Sequence, residues 1–186
     1  MRADRLTAFS DGVIAIIVTI MVLDLHAPAS GDRRLLLGLW PMLLAYALSF
    51  LLVSIYWVNH HHLLHANRRI GREILWFNLL WLFFLSLFPF ATAYISATRA
   101  APFAVALYAA LGTLTGLAFL MLGASLSRRN ADEPIVSVVA GDRLRKNLIA
   151  LALNILAVGL AMIFVPAALL CLALPAIAYF LPDKRV

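Results

Sequence analysis

Apolar residues run almost unbroken along this chain, and the polar positions that interrupt them fall into a few short clusters. Crossing a bilayer takes about 20 apolar residues in a helix. The runs predict six such helices, at about 5–25, 35–58, 73–96, 102–126, 144–164 and 166–181. The second can continue to His65, and Pro41 in its opening turns predicts a kink. The third contains Asn78 and Pro89, and the fifth contains Asn154. Amides in such surroundings are expected to bridge helices. The fourth starts at Pro102, and its Gly112 and Gly116 form a GxxxG that predicts a close-packing face. The sixth is short, holds Pro175, and reads as tilted, kinked or partly peripheral. The stretch 127–146, with Pro134 and Gly141, is the longest polar connection. No low-complexity stretch or internal repeat interrupts this plan.

The first run, RLTAFSDGVIAIIVTIMVLDL, is the unusual one. At 100° per residue, Phe9, Gly12, Ile16, Thr19, Ile20 and Leu23 share one stripe. Ser10 and Asp11 point away from it. A carboxylate inside a membrane segment marks a functional site by default. Asp11 is placed to bond to neighbouring helices and fix the angle of this one. Arg5 can snorkel to the headgroups or pair with a carboxylate. Two plainer readings compete. One is a signal peptide, with Arg2 and Arg5 as its basic region and Ala27-Pro28-Ala29 as a cleavage site. Asp11 at the edge of the apolar region and Pro28 within that site argue against it. The other is an ordinary packed helix in which Asp11 is a paired structural group.

Composition narrows the class. Of 186 residues 64% are hydrophobic and 13% charged, against about 45–50% and about 25% in a soluble domain. The mean hydropathy is +0.95. The chain therefore reads as an all-α integral membrane protein, a single domain over 1–186. The net charge of +6 does not indicate nucleic acid, because the basic residues sit in short links. With six spans, twelve Lys and Arg fall on the side of the termini and three, Arg33, Arg34 and Arg99, on the other. That bias places both termini in the cytoplasm. The single Cys171 excludes an intrachain disulfide and reads as a small core residue.

Arg5, three residues, then Phe9-Ser10-Asp11, at the head of a first transmembrane helix, is an RxxxFSD pattern. It resembles the transmembrane protein 175 family, potassium-selective channels of lysosomes and endosomes with short prokaryotic relatives. The six-span plan is similar to the prokaryotic form over essentially the whole chain, whereas the residue-level match is confined to the first helix. The resemblance implies a homotetramer in a prokaryotic cell membrane, with four first helices around a central pore. It implies a ring of Ile16 that closes or narrows the pore, with further apolar rings at Ile20 and Leu23. It associates Thr19 with selectivity, and Arg5, Phe9, Ser10 and Asp11 with the motif whose polar members hold the pore helix. One pore helix per chain cannot enclose a conduit, so the residues also call for several copies. No TVGYG-like filter is present, which leaves an apolar constriction and nearby hydroxyls to select the ion.

Other polar features carry weaker signals. His60, His61, His62 and His65 cluster at the end of the second run, with His61 and His65 four apart on one helical face. They read first as a solvated or headgroup-level group, and as a metal or proton site second. Trp57, Asn59 and His60 are plausible partners of the first-helix network. Asp24, at the exit of the first helix, reads as a solvated end or as a lure for cations. Trp40, Trp57, Trp76 and Trp81 read as an interface belt, Trp81 least clearly. No Ser/His/Asp set, phosphate loop or nucleotide fingerprint appears, so no enzyme and no cofactor is expected. Three readings result: a passive potassium channel, a proton-coupled small transporter in which Asp11 titrates, and a metal-binding membrane protein built on the histidines. The expected partners are potassium ions, the lipid bilayer and further copies of the chain, with no nucleic acid.

Overall fold

The computed structural model describes residues 3–26, 33–65, 70–129 and 134–180. Among them every regular element is a helix: α1 (Ala3–Leu23), α2 (Arg33–Leu37), α3 (Trp40–His65), α4 (Arg72–Leu85), α5 (Phe88–Ala97), α6 (Pro102–Arg129), α7 (Pro134–Ala161) and α8 (Val165–Phe180). Five stretches are long and apolar enough to cross a membrane, and Val165–Tyr179 is a shorter apolar helix.

Prolines and short polar breaks decide where the predicted runs divide. The second run is two helices. Gly38 closes the short α2 with bonds from its N–H to the carbonyls of Arg34 and Leu35, and Pro41 sits in the first turn of α3. It therefore starts a helix, where its missing N–H costs nothing, and does not kink one. The third run divides at Ser86 and Leu87, ahead of Pro89. Proline gives no N–H to the carbonyl four residues back, and Ser86 caps the break by donating its hydroxyl to the Phe83 carbonyl at 2.7 Å. The polar connection expected over 127–146 is largely helical. α6 runs on to Arg129 and α7 begins at Pro134, because helices extend polar turns past their apolar parts. Residues 130–133 lie outside the described ones.

α1 runs antiparallel to α3 and parallel to α4 and α5. The end of α1, the start of α3 and the end of α5 line one groove through Met21, Met42 and Ala97, while the start of α1 meets the later part of α3 and the start of α4. The core joins Ile14, Ile17 and Met21 of α1 to Val53, Trp81, Leu85, Phe88 and Tyr108. The GxxxG of α6 faces α7. A Cβ built on Gly112 would lie 2.6 Å from Asn154 Oδ1, and one on Gly116 would meet Leu151 at 3.5 Å. α8 buries one face, Ala168, Leu172 and Ala176, in the bundle and leaves Leu170, Leu174 and Ile177 exposed on the other, with Pro175 inside the helix. Cys171 is buried and free, a small core residue.

Candidate functional site: the two faces of the first helix

α1 packs by one face only. Leu6, Ser10, Ile14, Ile17 and Met21 are buried against the bundle. The predicted stripe lies on the other side, with Phe9 51%, Ile16 58%, Ile20 45% and Leu23 73% exposed. Gly12 and Thr19 share that open face. Nothing lies within 4 Å of where a Cβ on Gly12 would sit. Thr19 Oγ1 is 2.9 Å from the carbonyls of both Ala15 and Ile16, so its single proton stays with its own helix. Its oxygen lone pairs are left for something outside.

The buried face carries a hydrogen-bonded chain whose polarity can be assigned throughout. Ser10 donates its hydroxyl to the Leu6 carbonyl at 2.9 Å. Having one proton, it can only accept from Asn78, whose Nδ2 lies at 3.0 Å. That turns Asn78 Oδ1 toward His60 Nε2, 2.7 Å away, so Nε2 carries the imidazole proton. The His60 ring stacks on Trp81, with centroids 4.6 Å apart and planes 16° apart. Ser10, Asn78, His60 and Trp81 are all fully buried. Beside this chain Trp57 Nε1 donates to Asp11 Oδ1 at 2.8 Å. α1 is thus tied to α4 and α3 by the buried Ser10–Asn78–His60 chain, where an unpaired group would be costly, and to α3 again by the more exposed Trp57–Asp11 bond.

The candidate residues therefore separate. Ser10 and Asp11 are brought into the bonds that anchor α1. Phe9 lies on the open face, and Arg5 is exposed at the helix head. Of the three proposed partners, Trp57 and His60 join this site, whereas Asn59 lines a cavity between α3, α6 and α7. Asn78 does bridge helices, but no motif announces its place beside Ser10. His60 is the correction among the histidines: it is fully buried, not solvated, with Nε2 bonded to Asn78 and Nδ1 buried without a hydrogen-bond partner. His61 is partly buried, and its ring meets that of His62 edge-on. Among the described residues no three His, Cys, Asp or Glu side chains come together as metal ligands. Trp81 leaves the interface belt for the core, while Trp40, Trp57 and Trp76 are exposed, Trp57 with its indole N–H on Asp11.

The sequence model described as "Endosomal/lysosomal potassium channel TMEM175" matches residues 5–89, which hold this whole site. A potassium channel of Chryseobacterium sp. (strain P1-3) is 36% identical over 186 residues, covering 100% of this chain and 96% of its own. The chain belongs to the TMEM175 family. Another potassium channel, from Streptomyces collinus, is 36% identical over 189 residues, covering 96% of this chain and 91% of its own. The crystal structure of a lysosomal potassium-selective channel TMEM175 homolog from Chamaesiphon minutus superposes with a TM-score of 0.79. It is 26% identical over 95% of both chains. TMEM175 proteins are ion channels and not an enzyme class, and the apolar helices make this member a multi-pass integral membrane protein.

Proposed function

We propose that this chain, acting over 1–186 as one channel domain, is a subunit of a potassium channel in which four copies set α1 around a central pore. The observation that carries the reading is the open face of α1. An apolar helix that buries Ile14 and Ile17 yet leaves Ile16, Ile20 and Leu23 uncovered has a face its own subunit does not use. Copies related by rotation cover such a face and leave a conduit on the axis. The names of the Chryseobacterium and Streptomyces relatives support potassium as the ion.

In this arrangement Ile16 forms the narrowest apolar ring, with Ile20 and Leu23 one and two turns on. A hydrated cation waits there until the ring widens or wets. Thr19 offers the free lone pairs of its hydroxyl between these rings. The Ser10–Asn78–His60 chain and the Trp57–Asp11 bond hold the angle of α1. The charge bias puts both termini in the cytoplasm of a prokaryotic cell. Asp11 serves as an acceptor for Trp57, and transport does not require it to titrate.

The test is passive flux through purified protein in liposomes, with potassium and sodium gradients compared and no counter-ion supplied. Potassium should pass in preference to sodium, and Ile16→Asn should raise the flux by easing hydration of the ring. Flux that needs proton exchange, or an Ile16→Asn protein of normal assembly with unchanged flux, would overturn the reading.

A further inference from the structure

A cavity of about 60 Å³ lies between α3, α5, α6, α7 and α8, and α1 contributes nothing to it. Most of its wall is apolar, with Leu52, Ile55, Phe88, Leu151 and Leu172. Three amides and a phenol break that wall: Asn59, Asn147, Asn154 and Tyr56. The side chains of Tyr56, Asn59 and Asn147 make no hydrogen bond to any described residue, and none of their polar atoms is sealed as Trp81 Nε1 is. Asn154 donates one proton to the Ala150 carbonyl at 2.9 Å and keeps Oδ1 unbonded. The cavity is therefore bordered by a surplus of donors and acceptors inside an apolar bundle, where an unsatisfied polar group is costly.

Glycine makes the room. A Cβ on Gly112 would lie 2.6 Å from Asn154 Oδ1, and one on Gly116 would lie 3.5 Å from both Tyr56 Oη and Leu151 Cδ1. At these two positions the missing side chains open the ground between the phenol and the amide.

Size and charge define the occupant. One water takes about 30 Å³ of liquid volume, so the cavity holds a molecule of about three or four non-hydrogen atoms. Drug-sized ligands need about 300–1,000 Å³. Among the described residues no charged side chain lines the space, so an ionised occupant would sit unpaired in the bundle. Water alone would serve the amides and leave the apolar wall wet. We infer that the cavity is a binding site for a short uncharged alcohol. Its hydroxyl sits among Tyr56 Oη and the free amide groups, and its alkyl end lies on Leu52, Phe88 and Leu172.

The test is saturation-transfer NMR on the full protein in nanodiscs of deuterated lipid, with n-propanol, n-hexanol and acetate as probes. Wild type should give n-propanol a saturable signal above that of nanodiscs without the protein, and acetate should give none. n-Hexanol should give only the lipid signal, a cut-off set by the size of the cavity, whereas partition into lipid grows with every methylene. Gly116→Ala places a methyl in ordinary contact inside the cavity and should abolish the n-propanol signal. Tyr56→Phe keeps the ring, loses the hydroxyl, and should weaken n-propanol about three- to tenfold, the worth of one net hydrogen bond. Gly123→Ala, with nothing within 4 Å of its Cβ position, should bind as wild type does. An n-propanol signal that does not saturate, that grows on passing to n-hexanol, or that survives both Gly116→Ala and Tyr56→Phe would overturn the inference. So would a saturable acetate signal.

Discussion

Asn78 of α4 donates to Ser10 Oγ of α1 across 3.0 Å, deep in the bundle and 68 residues apart in sequence. The bond has a fixed direction because the Ser10 proton is held by Leu6. It makes Asn78 the hinge of the chain, with one face on α1 and the other on His60. Removing it strands a buried imidazole N–H, whereas Ser10→Ala leaves the Leu6 carbonyl in its helix and strands only one amide proton. An unsatisfied buried group costs about 1–3 kcal/mol. Asn78→Ala should therefore lower the thermal stability of the detergent-purified protein more than Ser10→Ala does, as read by the loss of the assembled peak after heating.

The indole of Trp57 needs only an acceptor at Asp11. Asp11→Asn keeps one and should assemble nearly as wild type, while Asp11→Ala should lose assembly. A coupling of about 0.5–3 kcal/mol between Asp11→Ala and Trp57→Phe is the range for groups in direct contact. A stable Asp11→Ala assembly with normal flux would show that the pair does not anchor α1.

Gly112 meets the end of the Asn154 side chain. A Cβ there would lie 2.6 Å from Asn154 Oδ1, so the amide must turn away and give up its bond to the Ala150 carbonyl, and overpacking of this kind costs about 1–3 kcal/mol. Gly112→Ala should be destabilised, and adding Asn154→Ala should restore it. Gly123→Ala is the control, since nothing lies within 4 Å of its Cβ position. Thermal melts of the four proteins check this.

Thr19 keeps its proton within α1 and presents oxygen outward. Thr19→Ser preserves that oxygen and should keep the preference for potassium over sodium. Thr19→Val is close in shape without it and should lower the preference. Ion-replacement currents from both variants measure the effect.

The division of α1 into two faces is legible in the sequence, because a period of 100° per residue separates Ile16 and Thr19 from Ser10 and Asp11 without reference to neighbours. The apolar runs are legible for the same reason, apolar length being a property of the chain alone. The anchors are not. Asn78 looks like any lone amide in an apolar run, and only the approach of α4 to α1 gives it Ser10. His60 sits among three other histidines, and tertiary packing alone singles it out as the buried one. The helix breaks at Gly38 and Ser86 are hidden because apolar residues continue on both sides of them. The helical turns beyond Leu126 and before Leu144 are hidden because polar composition does not distinguish a projecting helix from a loop.

The most direct test of the pore-lining claim is thiol modification of single cysteines on α1 during a potassium flux measurement. Wild type is the control, its one Cys171 being buried. A charged thiol reagent should block flux in Ile20→Cys and Leu23→Cys and leave Ile17→Cys and wild type untouched. Block of Ile17→Cys, or free flux through fully modified Ile20→Cys, would contradict the account.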